Sequence, residues 1–330
     1  MSNNTPAWLG NADPARREAF ERAINVAGAG SVLLQTYINR VVQQLTLREF
    51  GVLSTLDRRA GSGNAAYINR RAAGTTGGEW VADTDALVEE TGTYTQASFA
   101  YRTLATRGRV TRKIQATGAS YGDVLATSIS SKAEDFSNAL ESALIIGDTN
   151  TDADMVNGLL TQIQNAGASQ VVAVTTAVGG DALTLAHLDQ AIDAVKGSAS
   201  RSDLVIVGSF GGLRKVNQLL QAQQRFMDTT EVGAGFRVRT YDGIPMITST
   251  GMPDVITPDA TGFIGAYTGG GTTALAVVNK RYLWIEELTP TTVMPLAKTD
   301  SQFDQFDMFW DGSLVLSNTL GGCLVTAITA

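Results

Sequence analysis

Residues 57–118 hold too few large apolar side chains to form a hydrophobic core of their own. This stretch of sixty-two residues contains only twelve such side chains, and six glycines lie between Gly61 and Gly92. An ordered segment of this kind must be buried by another domain or another chain, because its own apolar surface cannot offset the entropy lost on ordering it. The composition therefore favours assembly over catalysis.

The charged side chains of this arm are sorted by sign. An acidic run without a basic residue precedes a basic run without an acidic residue. The acidic run is Glu79, Asp83, Asp85, Glu89 and Glu90, and the basic run is Arg102, Arg107, Arg109, Arg112 and Lys113. Since opposite fields steer association, we expect the arm to dock on a neighbouring copy.

The whole chain shows a similar charge asymmetry. Residues 1–120 carry 14 basic and 10 acidic side chains, whereas residues 121–330 carry 11 and 22. Chance scatter over a large surface would give the same totals. The alternative is that the basic N-terminal part of one copy docks on the acidic part of the next.

The totals exclude several classes of protein. A hydrophobic content of 44% argues against global disorder, and no stretch approaches the ~18 apolar residues of a membrane-spanning helix. Cys323 is the only cysteine, so the chain has no internal disulfide framework, which fits a reducing compartment. The N-terminal residues show no charged segment followed by an apolar one, so we expect no signal peptide.

Apolar periodicity predicts three main helices. The first covers residues 14–27, where Asp13 is a suitable N-cap, and the second covers residues 31–48. The clearest covers residues 121–146, with apolar side chains every three or four positions and Gly147 at its end. At 1.5 Å per residue, this third helix is roughly 38 Å long.

Extended segments follow a different pattern. Two legs, residues 63–75 and 93–114, flank the acidic loop and are rich in strand-forming side chains. Between residues 156 and 250, short helices alternate with apolar strands, which is typical of an α/β layer domain. Residues 261–330 are rich in predicted strands.

Two Asp-Gly dipeptides predict tight hairpin turns. One is Asp242-Gly243, in the α/β segment, and the other is Asp311-Gly312, near the C-terminal end. The second would divide the strands of residues 302–310 from those of residues 313–316.

The sequence carries little of what catalysis or metal binding requires. The only histidine, His187, lies on a predicted amphipathic helix, which favours a helix-surface or packing role over a ligand role. The glycines of residues 208–212 follow a strand and precede a helix but lack the lysine of a P-loop, so we interpret them as a tight turn. We expect no catalytic residue, no cofactor and no metal site.

Carboxylates are abundant, but the sequence pairs none of them convincingly. Glu286-Glu287 lies at the end of a predicted strand and is interpreted as solvent-facing. Four aspartates alternate with phenylalanines near the C-terminal end: Asp300, Asp304, Asp307 and Asp311. No EF-hand loop matches them, so we interpret them as a strand with an acidic face rather than a calcium site. The basic run lacks interleaved aromatics, which favours docking to acidic protein over nucleic acid.

The order of these parts resembles that of one known family. The segments that carry the likeness are Tyr67-Ile-Asn-Arg-Arg71, the leg from Tyr101 to Ile114 that leads into the long helix, and the Gly-x-Pro step within residues 241–248. In this order and spacing they resemble the HK97-type major capsid proteins of tailed bacteriophages. Each motif alone is weakly specific, but the likeness covers nearly the whole chain.

The resemblance implies an α+β class and an HK97-like capsid fold. Such a fold has an N-terminal arm, an extended β-hairpin called the E-loop, a long spine helix, a peripheral (P) domain and an α/β axial (A) domain. On this chain the N-terminal arm corresponds to residues 1–56, the E-loop β-arm to 57–118, the spine helix to 119–155, the A domain to 156–276 and the remaining P-domain strands to 277–330.

The same resemblance implies a function and partners. The expected protein is a major capsid protein that assembles in the host cytoplasm, as hexamers and pentamers, into an icosahedral shell around double-stranded DNA. A separate scaffolding protein (or an earlier cleavage), a portal and a decoration protein are the further partners that it implies. The inter-subunit contacts are expected at Glu79, Trp80, Asp83, Asp85, Glu89, Glu90, Arg102, Arg107, Arg109 and Arg112.

One departure from the family concerns the covalent link that some members form through an E-loop lysine. Here Lys113, at the base of the arm, is the first lysine of the chain, so we expect noncovalent arm contacts. Two alternatives remain open. An encapsulin-like compartment would share the fold but enclose proteins, and an α/β enzyme with a β insertion would belong to a different class, against which the motif search argues.

Overall fold

The computed structural model describes residues 51–71, 80–83, 92–118, 124–175, 180–195, 203–222, 228–231, 237–256, 272–296 and 302–329. The helices predicted over residues 14–27 and 31–48 lie outside this part of the chain. Most of the acidic run also lies outside it, as does a strand predicted over residues 262–267.

The described helices are α1 (Gly51–Thr55), α2 (Arg112–Gly118), α3 (Val124–Ile146), α4 (Leu159–Asn165), α5 (Leu185–Ala194) and α6 (Phe210–Ala222). The strands are β1 (Asp57–Ala60), β2 (Ala65–Arg71), β3 (Tyr94–Ala100), β4 (Arg102–Thr111), β5 (Val171–Ala173), β6 (Leu204–Gly208), β7 (Asp228–Glu231), β8 (Arg237–Tyr241), β9 (Ile244–Thr248), β10 (Thr272–Asn279), β11 (Leu283–Pro295), β12 (Phe303–Leu316) and β13 (Gly322–Thr329). None of these helices is long and apolar enough to cross a membrane.

The strands form two large sheets and one isolated hairpin. The first sheet has four strands in the order β1-β11-β12-β4, and the second has seven in the order β5-β13-β10-β6-β9-β8-β7. Strands β2 and β3 pair only with each other. Helix α3, predicted as the spine helix, packs its buried Phe136, Leu140 and Leu144 into a core shared with both large sheets.

The seven-stranded sheet is covered on both faces, which explains its apolar strands. Strand β6 is buried at every residue and pairs in parallel with β9. Its alternate side chains divide between two cores, with Val205 and Val207 facing α3 and α4, and Ile206 facing α5 and α6. A strand buried on both faces has a continuous apolar sequence, as predicted for residues 204–207.

The two Asp-Gly dipeptides behave differently. Asp242-Gly243 forms the predicted β8–β9 turn, with positive φ angles of 50° and 77°. The prediction of a turn at Asp311-Gly312 is wrong, because β12 runs unbroken through both residues. A side chain at Gly312 would meet the Trp310 ring at 2.5 Å and the Glu286 carbonyl oxygen at 2.7 Å. Glycine is needed there for close packing rather than for a turn.

The sheets do not follow the boundaries of the segments predicted from the sequence, because strands of one segment belong to different sheets. Within residues 277–330, β11 and β12 belong to the four-stranded sheet, whereas β13 returns to the seven-stranded sheet beside β10. Within residues 57–118, β4 pairs along its length with β12. The second arm leg is therefore two strands separated at Tyr101, and only the β2–β3 hairpin lacks a partner sheet among the described residues.

Candidate inter-subunit interface

The β2–β3 hairpin exposes aromatic side chains that its own chain leaves uncovered. Its strands pair from Ala65↔Ala100 to Arg71↔Tyr94, and burial is confined to the end nearest the body, at Ala65 and Ala66. Tyr67 and Tyr94 are 60% and 71% exposed, and Trp80, beyond the hairpin, is fully exposed. Exposed apolar side chains concentrated on one segment are typical of a surface that another molecule covers.

One arginine fastens the hairpin to the body. The Arg70 guanidinium donates to the carbonyl oxygens of Leu316 and Ser317, at 2.5 and 2.7 Å, where β12 ends. It also lies 5.8 Å from the centre of the Phe99 ring. Burial lowers the pKa of Arg70 from its ordinary value. Arg70 pairs with Thr95, near the outer end of the ladder, so these contacts fasten that end of the hairpin to the body while Tyr67 and Tyr94 stay exposed.

A tyrosine marks the junction between hairpin and sheet. The Tyr101 hydroxyl donates to Glu286 Oε1 at 2.6 Å. Gly61 leaves room for this hydroxyl, since a Cβ there would lie 2.6 Å from it. Burial, followed by the hydrogen bond to the Glu286 carboxylate, raises the pKa of Tyr101 to about 12.

We expect Tyr101 to make stability depend on pH in the alkaline range. Because its folded pKa lies above the ordinary value of 10.0, its contribution is complete below pH 10 and is lost as the pH rises toward 12. Tyr101→Phe should therefore make the free energy of unfolding fall less steeply over this interval than in the wild type. Chemical denaturation at several pH values measures this, with Tyr67→Phe as the control. Equal slopes for wild type and Tyr101→Phe would contradict the assignment.

The basic leg of the arm meets an acidic strand of its own chain. Arg107 makes a bidentate ion pair with Asp307, at 2.7 and 2.8 Å, across the β4–β12 register. This hydrogen bonding lowers the pKa of Asp307 and raises that of Arg107. Thr103 donates to Asp311 at 2.5 Å. Asp307 and Asp311 lie on one face of β12, as the predicted acidic face requires, and their partners lie on the adjacent strand. Asp300, which the prediction also included, lies outside the described residues.

The remaining predicted interface residues are dispersed. Arg109 lies 5.2 Å from the centre of the Phe303 ring, and Arg102 lies 4.0 Å from Asp154. Arg112 is exposed at the start of α2, and Asp83 is exposed beside Trp80. Four predicted residues lie outside the described part of the chain: Glu79, Asp85, Glu89 and Glu90. Asp83 is the only residue of the acidic run that the described part of the chain includes.

Two carboxylates have a structural role that the sequence did not predict. Glu287 Oε1 accepts from Trp310 Nε1 at 2.8 Å and from Arg58 at 3.0 Å. Glu286 accepts from Tyr101 and also from Trp284 Nε1, at 3.2 Å. The interpretation of this pair as solvent-facing residues at a strand end is wrong, because β11 continues through both. Trp284, two residues before Glu286, was the available signal in the sequence, since an indole N–H that is shielded from water needs an acceptor.

A third carboxylate joins three parts of the fold. Glu141 of α3 is 1% exposed, and its Oε1 accepts from the Val52 backbone N–H at 2.9 Å and from Ser249 Oγ at 2.5 Å. Val52 belongs to α1, and Ser249 follows β9. A buried carboxylate is stable only when donors satisfy it, so Glu141 fixes α1 and the seven-stranded sheet against the spine.

The described residues hold no evident catalytic constellation. His187 is partly buried on α5, with Nδ1 3.0 Å from Thr184 Oγ1, and Cys323 is a buried thiol of β13 whose pKa burial raises to about 11. Within this part of the chain, no three His, Cys, Asp or Glu side chains are grouped so that they could hold a metal ion. The exposed hairpin is the feature that points to a function.

Comparison with known proteins identifies the type of assembly. A family model described as SU10 major capsid protein matches residues 103–329. The chain belongs to this family. The matched part of this capsid subunit runs from β4 to β13 and includes the spine helix α3. A search of curated protein sequences found no match.

Solved structures similar to the capsid subunit share its fold over most of its length. The capsid of cyanophage A-1(L) has a TM-score of 0.68 at 16% identity, covering 91% of this chain and 98% of the other. The capsid of an empty GTA particle has a TM-score of 0.67 at 20% identity, covering 92% and 98%. The SrpI encapsulin of Synechococcus elongatus PCC 7942 has a TM-score of 0.64 at 15% identity, covering 91% and 95%.

The predicted family and fold are confirmed by these matches. The chain is a major capsid protein with a mixed α+β fold of the HK97 type, and a capsid is built from many copies of such a subunit. The phage and encapsulin likenesses, all below 25% identity, concern the fold alone.

Proposed function

We propose that this capsid subunit assembles as hexamers and pentamers into an icosahedral shell around double-stranded DNA. The observation that carries the proposal is the β2–β3 hairpin, which is fastened to the body by Arg70 and exposes Tyr67, Tyr94 and the adjacent Trp80. Such a projection gains its full stabilisation only when a second subunit buries it. The protein would act mechanically, without catalysis or a cofactor.

The proposed neighbour contact joins the acidic tip of one arm to the basic strand of the next subunit. Arg107 already forms an ion pair with Asp307 of its own chain. Arg109 and Arg112 are therefore the stronger candidates for binding the acidic tip of a neighbouring arm. Both are exposed, and neither makes an ion pair with a carboxylate among the described residues. Trp80 would supply apolar area beside the acidic side chains. Repetition of the contact around a closed shell multiplies a modest interaction.

Arm cohesion would be noncovalent. The chain has no lysine before Lys113, and Lys113 lies in α2, beyond the basic strand rather than at the arm tip. An amide link from the tip to a neighbour therefore lacks its amine. Packing and complementary charge would carry the contact, which makes it sensitive to salt.

Electron microscopy of the purified full chain tests the proposed function. We expect closed shells of uniform size by negative stain, and single-chain bands after those shells are dissolved in denaturing detergent. Particles that hold nuclease-protected DNA would support the phage function, whereas particles that hold protein cargo would support an encapsulin-like compartment. A stable monomer with a bound small molecule would overturn the proposal in favour of an enzyme.

The phage context supplies the remaining proposed partners. A shell that packages DNA needs a protein that directs its assembly from inside, an opening through which the DNA enters and, in some systems, a protein that stabilises its outer surface. We therefore include a separate scaffolding protein, a portal and a decoration protein as partners, with assembly in the host cytoplasm. Co-purification of the subunit with these proteins from infected cells would test each of them individually.

A further inference from the structure

The loop between α3 and α4 carries side-chain oxygens at alternate positions. From Asp148 to Asp154 its sequence is Asp-Thr-Asn-Thr-Asp-Ala-Asp. Oxygen ligands at positions 1, 3 and 5 of a short loop are the pattern with which EF-hand loops bind Ca²⁺. The match is partial, because Ala153 takes the place of the glycine at position 6 and Leu159 that of the glutamate at position 12.

Backbone hydrogen bonds fold this loop around its first aspartate. The N–H groups of Thr151 and Asp152 both donate to the Asp148 carbonyl oxygen, at 3.2 and 3.1 Å. At the ends of the loop, the Gly158 N–H donates to the Gly147 carbonyl oxygen at 2.8 Å. Positions 1, 3 and 5 are thereby held on one compact turn.

The decisive observation is a buried carboxylate oxygen without a partner. Asp148 is 2% exposed, and its Oδ1 accepts from the Asn150 backbone N–H and side-chain Nδ2, at 3.0 and 3.1 Å. Its Oδ2 is buried and has no hydrogen-bond partner among the described residues. No described basic side chain forms an ion pair with it. A buried carboxylate oxygen left unsatisfied is costly, and a bound cation would satisfy it.

We propose that residues 148–154 bind a divalent cation with oxygen-ligand chemistry, Ca²⁺ above all. The ligands would be the carboxylates of Asp148 and Asp152, the Asn150 side-chain oxygen after its amide turns, and a peptide carbonyl, with water completing the shell. This set has two carboxylates and an amide, which is consistent with the absence, among the described residues, of three acidic, histidine or cysteine side chains placed to hold a metal ion. Without the bidentate glutamate, a dissociation constant of about 10⁻⁴ to 10⁻³ M is expected.

The position of the loop gives the ion a role in the shell. Asp154 lies 4.0 Å from Arg102, the first residue of β4. Thr149 and Ala100, the last residue of β3, line a common cavity of about 280 Å³. A cation held by Asp148 and Asp152 would fix the loop against the root of the arm, and its removal would loosen that root.

Terbium luminescence provides a direct test on the full chain. Tb³⁺ replaces Ca²⁺ at oxygen sites and emits when a nearby tryptophan is excited. Trp310 lines a cavity of about 160 Å³ together with Asp152 and Asp154, so it can act as the sensitiser. We expect saturable emission from chelator-treated protein, and displacement of that emission by millimolar Ca²⁺.

Matched variants decide whether the emission comes from this loop. Asp148→Asn and Asp152→Asn should each weaken Tb³⁺ binding at least about ten-fold, whereas Asp193→Asn, at an exposed position of α5, should bind as the wild type does. Asp152 is exposed, so its variant tests the site even if Asp148→Asn fails to fold. Absence of saturable emission, or equal emission from Asp152→Asn and Asp193→Asn, would overturn the proposal.

Discussion

Deletion of residues 76–91 should abolish shells or change their size while leaving the subunit folded. The deleted stretch contains Trp80 and all five acidic residues of the arm tip. The β2–β3 ladder ends at Arg71 and Tyr94, so its pairing lies outside the deletion, as does the Arg70 contact with the body. The deletion therefore tests the contacts that we propose between subunits while it keeps the described strand pairing of the hairpin.

Electron microscopy and sedimentation of the deletion variant measure this effect, with thermal unfolding as the check on folding. Two milder variants separate the causes. Trp80→Ala removes only the apolar side chain, and conversion of the five tip carboxylates to amides removes only the charge. If assembly depends on both the Trp80 ring and the tip charges, each of these two variants should raise the protein concentration needed to form shells. Shells of normal size and yield from the full deletion would refute the proposed role of the arm.

Trp310→Ala should lower the free energy of unfolding of the subunit by about 3–5 kcal/mol. Trp310 is 1% exposed in the core beneath β12, and its Nε1 donates to Glu287. The substitution leaves a cavity and removes one donor from a carboxylate that is only 10% exposed. Denaturant unfolding of unassembled subunits measures the change, because assembly would otherwise add to the apparent stability.

Trp284→Ala is the matched control for this experiment. Trp284 is only partly buried in β11, and its ring lies 3.8 Å from the Arg59 guanidinium carbon. Its loss should cost less than half as much, since a partly exposed ring leaves no enclosed cavity. Trp310→Phe would separate packing from the hydrogen bond. Equal destabilisation by the two alanine substitutions would contradict the assignment of Trp310 to an enclosed core position.

Patterns with strong local periodicity were predictable. The spine helix of residues 121–146 occurs as Val124–Ile146, the apolar strand at 204–207 occurs as β6, and Asp242-Gly243 makes its turn. Each is determined by neighbouring residues through helical spacing, continuous burial or positive φ. The order of these elements also sufficed to predict the capsid family that the profile of residues 103–329 identifies.

Features that depend on distant partners were not predictable in the same way. Asp311-Gly312 has the local signature of a turn, yet β12 runs unbroken through it and Gly312 packs closely against Trp310 and Glu286. Glu286-Glu287 looked solvent-facing because the donors that it binds come from residues such as Arg58 and Trp310, remote in sequence. Asp148 became notable only once its burial and its unpartnered oxygen were visible.

By itself, the sequence determined that residues 57–118 could not stand alone, because twelve large apolar side chains in sixty-two residues cannot enclose one another. Only the tertiary structure decided which part finds its partner inside the same chain. Strand β4 pairs with β12 and joins Arg107 to Asp307, because strand pairing links residues some two hundred positions apart that no local pattern connects. The β2–β3 hairpin keeps its aromatic side chains Tyr67 and Tyr94 exposed, and it is the surface that we propose a neighbouring subunit covers.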